Sequence, residues 1–199
     1  MPNAVTLYSY KLKDGVPTSD FLAAADRVNS EYMSKQKGFI SWKVLSDGET
    51  WSDLLTWETM EDAHNAANRS KTYAFAAEYF TFMDFDSLKA YYFIVENNYQ
   101  SGRTPVTGAL HMFKLKDGAS AGHSLVADKL CAWFPKTHKN VVSFNVFSDG
   151  EMWADLVTFD SKTNQNIDEK SPLIQEYFSF GSGLPAKPYH FTVMKNYSQ

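Results

Sequence analysis

The sequence predicts an α+β fold built from two copies of one β-α-β-β-α-β unit, and three observations predict it. Lys11-Leu12-Lys13-Asp14-Gly15 returns unchanged as Lys114-Leu115-Lys116-Asp117-Gly118. Ser46-Asp47-Gly48-Glu49-Thr50-Trp51-Ser52-Asp53-Leu54 returns as Ser148-Asp149-Gly150-Glu151-Met152-Trp153-Ala154-Asp155-Leu156, and Tyr79-Phe80 and Asn98-Tyr99 return as Tyr177-Phe178 and Asn196-Tyr197. The spacing is roughly 100 residues throughout, an ordinary domain size, so the chain reads as a tandem duplication. The third observation is the order of hydrophobic periodicities, which is the same in each half.

Residues 5–13 alternate as a strand and end at Asp14-Gly15. A helix is expected over 18–36, capped by Thr18, Ser19 or Asp20, with Phe21, Leu22, Ala25, Val28 and Tyr32 near one face and Gly38 closing it. Residues 39–46 and 49–58 form a hairpin through Asp47-Gly48, a turn in which both central residues are expected at positive φ. A second, Ala-rich helical region covers 60–80 with a break at Ser70-Lys71-Thr72, and a last strand runs 88–97. The second half repeats this order: strand 107–116, helix 120–135 with Pro135 near its end, hairpin 141–160 through Asp149-Gly150, helix 163–179 interrupted by Pro172, and strand 188–196. The halves are residues 1–99 and 106–199, and the polar, turn-rich stretch 100–105 is the linker.

Each half is thus a ferredoxin-like unit, for which the sheet order 4-1-3-2 is expected, with strands 1 and 3 central and parallel. Its helices cover one sheet face. The other face is also apolar and needs a partner, and the other half's sheet supplies it, giving a pseudo-twofold dimeric α/β barrel.

Composition narrows the function classes. A formal net charge of −4 and the absence of a basic run argue against nucleic-acid and membrane-surface partners. Aromatic residues make up 16% of the chain, enough to line a cavity as well as fill two cores. Cys131 is the only cysteine, which suits a reducing cytoplasm and excludes an intrachain disulfide; it reads as core. No signal peptide or spanning segment is expected. Fusion already supplies both halves of the barrel, so the assembly is expected to be a monomer with an internal pseudo-dimer, or a homodimer.

The unit order, the Lys-Leu-Lys-Asp-Gly strand end and Trp57-Glu58-Thr59-Met60-Glu61-Asp62-Ala63 leading into the second helix resemble the dimeric α/β-barrel superfamily. That group includes antibiotic-biosynthesis-type monooxygenases, stress-responsive α/β-barrel proteins, polyketide cyclases and haem-degrading monooxygenases. The second half departs from it, since Phe159-Asp160-Ser161-Lys162-Thr163 lacks the Trp and the acidic-Ala helix start. The resemblance implies that the pocket side of the sheet carries Thr6, Tyr8, Tyr10 and Leu12 with Trp51, Asp53, Leu55 and Trp57. In the second half the matching residues are Ala109, His111, Phe113 and Leu115 with Trp153, Asp155, Val157 and Phe159.

An Asp in mid-strand between aromatic and aliphatic neighbours is costly unless it is paired or hydrogen-bonded, and it stands at the same place in both halves. Asp53 and Asp155 are therefore candidate bases, or else scaffolding. His111 replaces Tyr8, and on neighbouring strands His111 and Asp155 can touch, which makes a base usable near neutral pH. Tyr8 with Asp53 is the matching pair. His190 replaces Tyr92, but an antiparallel last strand is expected to set it opposite residue 115, about 13 Å from His111 at ~3.3 Å per residue, too far to share a metal ion. His64 can sit at a pocket mouth, and Tyr10, Phe113, Trp51, Trp57, Trp153 and Tyr92 can contact a flat substrate. His123 and His138 have no evident partner.

The chemistry expected is that of a cofactor-independent oxygenase, cyclase or isomerase acting on a flat, hydrophobic, enolisable small molecule, without metal or other cofactor. The alternative is a non-catalytic ligand-binding or stress-associated barrel protein. Haem binding, a third reading, needs an axial His such as His64 or His111.

Overall fold

A computed structural model describes residues 3–70, 72–163, 167–182 and 187–199. They form two compact units, Met1–Ile94 with Val193–Gln199, and Val95–Thr192. Unit 1 runs through β1 (Ala4–Leu12), α1 (Thr18–Glu31), β2 (Phe39–Ser46), β3 (Thr50–Trp57), α2 (Met60–Ser70) and α3 (Ala74–Thr81). It takes β4 (Met83–Gln100) as far as Ile94 and β8 (Tyr189–Ser198) from Val193. Its strands are hydrogen-bonded in the order β4-β1-β3-β2-β8.

The fold class is α+β and each unit is ferredoxin-like, but β1 and β3 are antiparallel rather than parallel, with Tyr8 opposite Asp53. The reason is the path of the chain. The α1 crossover returns β2 in the direction of β1, and the hairpin then reverses β3 between them. The hairpin itself differs in detail. No non-Gly residue has positive φ, so only Gly48, at φ 102°, takes the left-handed region. Asp47 instead closes the turn with its carboxylate, accepting from the N–H groups of Glu49 and Thr50 at 2.9 and 2.7 Å.

The first helix is also shorter than its periodicity. Pro17 is its N-cap and no side chain caps it, Ser19 donating instead to Asp20. A 3-10 turn at Met33–Lys35 takes over after Glu31, and Gly38 at φ 72° then turns the chain into β2. A side chain at Gly38 would also collide with Asp62. Thr59 starts α2 by accepting from the Asp62 N–H at 3.1 Å and donating to its carboxylate at 2.6 Å. The helical region 60–80 is broken as expected, although Lys71 lies outside the described residues.

Unit 2 holds the rest of β4, then β5 (Thr107–Lys114), α4 (Ser120–Thr137), β6 (Val141–Ser148), β7 (Met152–Phe159), α5 (Pro172–Ser179) and the first part of β8. Its strand order is β8-β5-β7-β6-β4. The helix expected over 163–179 begins only at Pro172. Residues 164–166 of that span are not among those described. Proline in a first helical turn gives up an N–H that would have no partner there, so Pro172 starts the helix instead of interrupting it. Among the described residues, unit 2 has no counterpart of α2. The 100–105 stretch is tied to β6: Ser101 N–H donates to the Val142 carbonyl at 2.8 Å, and the Arg103 guanidinium donates to the Val141 carbonyl at 2.7 Å.

Helices and sheet enclose one aromatic core per unit. In unit 1, Phe21 of α1 packs on Tyr10, Trp51, Tyr79 and Phe82. In unit 2 the same role falls to His123, packed on Phe113, Trp153, Tyr177 and Phe180. Among the described residues no helix is long and apolar enough to cross a membrane.

Candidate functional site

A cavity of about 430 Å³ lies inside unit 1. Its strand wall carries Tyr8, Trp42, Asp53, Leu55 and Trp57. On the α2 side its wall is built of small residues, Ala63, Ala66, Ala67 and Ser70, joined by Ala76 of α3, and these short side chains leave the space open. Unit 2 carries Ile174 at the place of Ala76, counting back from the repeated Tyr-Phe pair.

Among the described residues Asp53 is the one acidic or basic side chain in the lining, and it is 5% exposed. Three neutral donors hold it. Trp42 Nε1 donates to Oδ1 at 2.9 Å and Tyr10 donates to Oδ2 at 3.0 Å. The Tyr79 hydroxyl lies 2.9 and 3.0 Å from the two oxygens and 2.9 Å from the Tyr10 hydroxyl. Burial drives the carboxyl pKa upward and these three bonds pull it back, leaving it raised to about 6. Tyr8, opposite Asp53 on the ladder, also lines the cavity; its hydroxyl is 3.5 Å from that of Tyr92, and burial raises its phenol pKa.

The carboxylate of unit 2 has different company. His111 Nδ1 lies 2.8 Å from Asp155 Oδ1, as their opposed positions on β5 and β7 dictate. Burial pushes the imidazole pKa down, but the bond to Asp155 and its charge outweigh this, so the net shift is upward. Two donors of unit 1 are missing, because Phe113 stands for Tyr10 and Phe144 for Trp42. Asp155 Oδ2 and the Tyr177 hydroxyl, both buried, make no hydrogen bond. Asp155 nevertheless opposes ionisation of the Tyr177 phenol, which burial already disfavours.

The sequence-derived candidates therefore divide. Tyr8, Asp53 and Trp57 line the cavity. Tyr10 and Trp51 lie behind it in the core, Tyr10 through its bond to Asp53. Tyr92 is 39% exposed beside Tyr8, and exposed His64 packs on it with ring centres 5.4 Å apart, outside the lining. Phe113 and Trp153 belong to the unit 2 core. The register expected for His190 is wrong: it pairs with Ala109, two residues from His111, because β8 joins β5 only along Thr107–Leu110. His190 is exposed, and no group of three or more His, Cys, Asp or Glu among the described residues could hold a metal ion.

Other residues were missed by sequence reasoning. Trp42 and Tyr79 complete the Asp53 site from β2 and α3, and the repeated Tyr79-Phe80 pair was the available signal. His123 does have partners, though aromatic ones. It is fully buried, both ring nitrogens lack a hydrogen bond, and burial lowers its pKa to about 4. His138 packs on Trp133 at 4.5 Å. Cys131 is half-buried and its thiol is pushed up to about 11, away from nucleophilic use.

Haem can be tested against these residues. Among the described residues no histidine lines the unit 1 cavity: His64 packs its ring on Tyr92 outside the lining, and His111 belongs to unit 2. The described residues thus offer the cavity no axial imidazole and do not fit haem there.

No family model matches the sequence, and no curated protein matches it. Solved structures do. A presumed monooxygenase from Lactobacillus acidophilus is similar with a TM-score of 0.75 at 11% identity, over 100% of this chain and 97% of that one. A ferredoxin-fold protein from Listeria monocytogenes, related to antibiotic biosynthesis monooxygenases, gives 0.62 at 10%, over 98% and 95%. A mutant chlorite dismutase from Candidatus Nitrospira defluvii gives 0.63 at 8%, over 97% and 91%. This chain has the dimeric α/β-barrel fold. At such identities the likeness fixes the fold and leaves the chemistry to the site.

Proposed function

We propose that the protein is a cofactor-independent oxygenase of the monooxygenase type, which takes a flat, hydrophobic, phenolic or polyketide-like molecule into the unit 1 cavity. The observation that carries this reading is a lone, hydrogen-bonded carboxylate, Asp53, in the wall of an otherwise apolar cavity of about 430 Å³, within the ~300–1,000 Å³ range of ligand sites. A base with a pKa near 6 is ionised at neutral pH yet still basic enough to take a proton from an acidic C–H or O–H. Tyr8 donates to the enolate oxygen. The enolate carbon then reduces O2. A C–O bond forms, the hydroperoxide loses water, and a CH2 group becomes C=O with one H2O released, so the substrate itself is the reductant. The likeness to an anthrone oxidase-like protein, TM-score 0.62 at 10% identity, supports this substrate type. His111 oriented by Asp155 is proposed as a second base, in unit 2.

The test is oxygen uptake with anthrone as substrate, in wild type and Asp53→Asn. Uptake above buffer that falls ~10²- to 10⁴-fold in the variant supports the reading. No uptake by wild type overturns it. The three hydrogen bonds that already hold Asp53 favour a second reading, a binding protein without turnover, in which anthrone binds and O2 is untouched.

A further inference from the structure

The charge pattern of the unit 1 cavity specifies the kind of ligand more narrowly than its shape does. Among the described residues no Lys, Arg or His lines the cavity, so none of them would neutralise an anion there. The donors already on Asp53 number three, whereas a carboxylate offers about four acceptor positions. One further donor can therefore be received, and it must come from the ligand. Tyr8 is paired with Asp53 on the ladder, where Cβ atoms are about 4.5–5.5 Å apart, and both residues line the same cavity. A hydroxyl or enol oxygen placed between the two can donate to Asp53 and accept from Tyr8. A ligand carboxylate in that place would meet Asp53 as a like charge in a poorly hydrated site. An ammonium would gain less than a bare carboxylate promises, since Trp42, Tyr10 and Tyr79 already spread the charge of Asp53.

We propose that the unit 1 cavity selects uncharged aromatic ligands that present a free hydroxyl or enol O–H to Asp53, with Tyr8 donating to the same oxygen, and rejects their carboxylate counterparts. This rests on the cavity being the ligand site and not on turnover taking place there.

The experiment is isothermal titration calorimetry of the full chain at pH 7.5 with four two-ring probes: 1-naphthol, 1-methoxynaphthalene, 1-naphthoate and 1-naphthylmethylammonium. The expected result is that 1-naphthol binds tenfold or more tightly than each of the others. Asp53→Asn should erase its advantage over the methyl ether, and Ala76→Ile, which fills the cavity with the residue unit 2 has at that place, should weaken it at least tenfold. Should Asp53→Asn fail to fold, the wild-type series decides by itself. Equal or tighter binding of 1-naphthoate, of the methyl ether or of the ammonium overturns the proposal, as does binding of none of the four. Selective binding of 1-naphthol with no oxygen uptake on anthrone upholds it while ending the oxygenase reading.

Discussion

Asp53 and Asp155 stand at the same strand position in the two units, yet they are solved differently. Asp53 is held by three neutral donors and borders a cavity, whereas Asp155 is paired with a histidine and leaves one oxygen unbonded. Four exchanges account for this: Tyr8 for His111, Tyr10 for Phe113, Trp42 for Phe144 and Ala76 for Ile174. The lesson is that a repeated buried carboxylate does not carry one role. Its role follows from which of its neighbours keep an O–H or N–H and which helix side chains stay small.

The sharpest way to break this comparison is activity. Asp53→Asn should lower anthrone-dependent oxygen uptake by ~10²- to 10⁴-fold, the usual worth of a positioned base. Asp155→Asn should lower it by less than about tenfold. Equal losses from both would mean that the two sites share the work.

Stability probes the comparison next. His123 is fully buried with two unbonded ring nitrogens, in a place where unit 1 keeps Phe21. An unsatisfied buried polar group costs about 1–3 kcal/mol, so His123→Phe should stabilise the protein by that order in urea unfolding. Phe21→His should destabilise it by at least as much.

The pH dependence sharpens it further, because the two groups pull in opposite directions. The folded pKa of His123 is about 4, below its ordinary value of 6.5. Between those values the unfolded chain binds the extra proton, so stability falls as pH drops from about 6.5 toward 4. Asp53 is raised from 3.8 to about 6, so there the folded state holds the proton and stability falls as pH rises through that window. Urea unfolding between pH 4 and 7 should show the acid-side loss diminished in His123→Phe and the opposing slope removed in Asp53→Asn. Equal slopes in wild type and both variants would mean that neither group is perturbed.

The smallest effect concerns the dyad. His111 has a raised pKa, so what its pairing contributes is complete below about 6.5 and is lost as pH rises through the folded value. NMR titration should show this raised pKa, and Asp155→Asn should return it toward or below the reference. A His111 that ignores the substitution would show that the contact carries no charge coupling.

Much of the fold was legible because it rests on local rules. The Asp-Gly turns, the strand alternation and the Ala-rich second helix each follow from short stretches; alternation put Asp53 and Trp57 on one face of their strand, and the family resemblance brought Tyr8 to the same side. What failed depends on long-range placement. The direction of β3 against β1 is set by the α1 crossover, and the pairing of His190 with Ala109 by where β8 meets β5. Trp42 and Tyr79 reach Asp53 from elements 11 and 26 residues away, so no spacing rule marks them as its donors. The openness of the cavity depends on which helix residues are alanine, a matter of volume that periodicity does not register.

The most direct test of the division between the units is to map 1-naphthol onto the chain by backbone amide chemical shifts. Perturbations centred on Leu55, Ala63, Ala66 and Ala76, and lost in Ala76→Ile, are the predicted result. Perturbations centred on Ala109, His111 and Val157 would contradict it and move the ligand site to the His111–Asp155 pair.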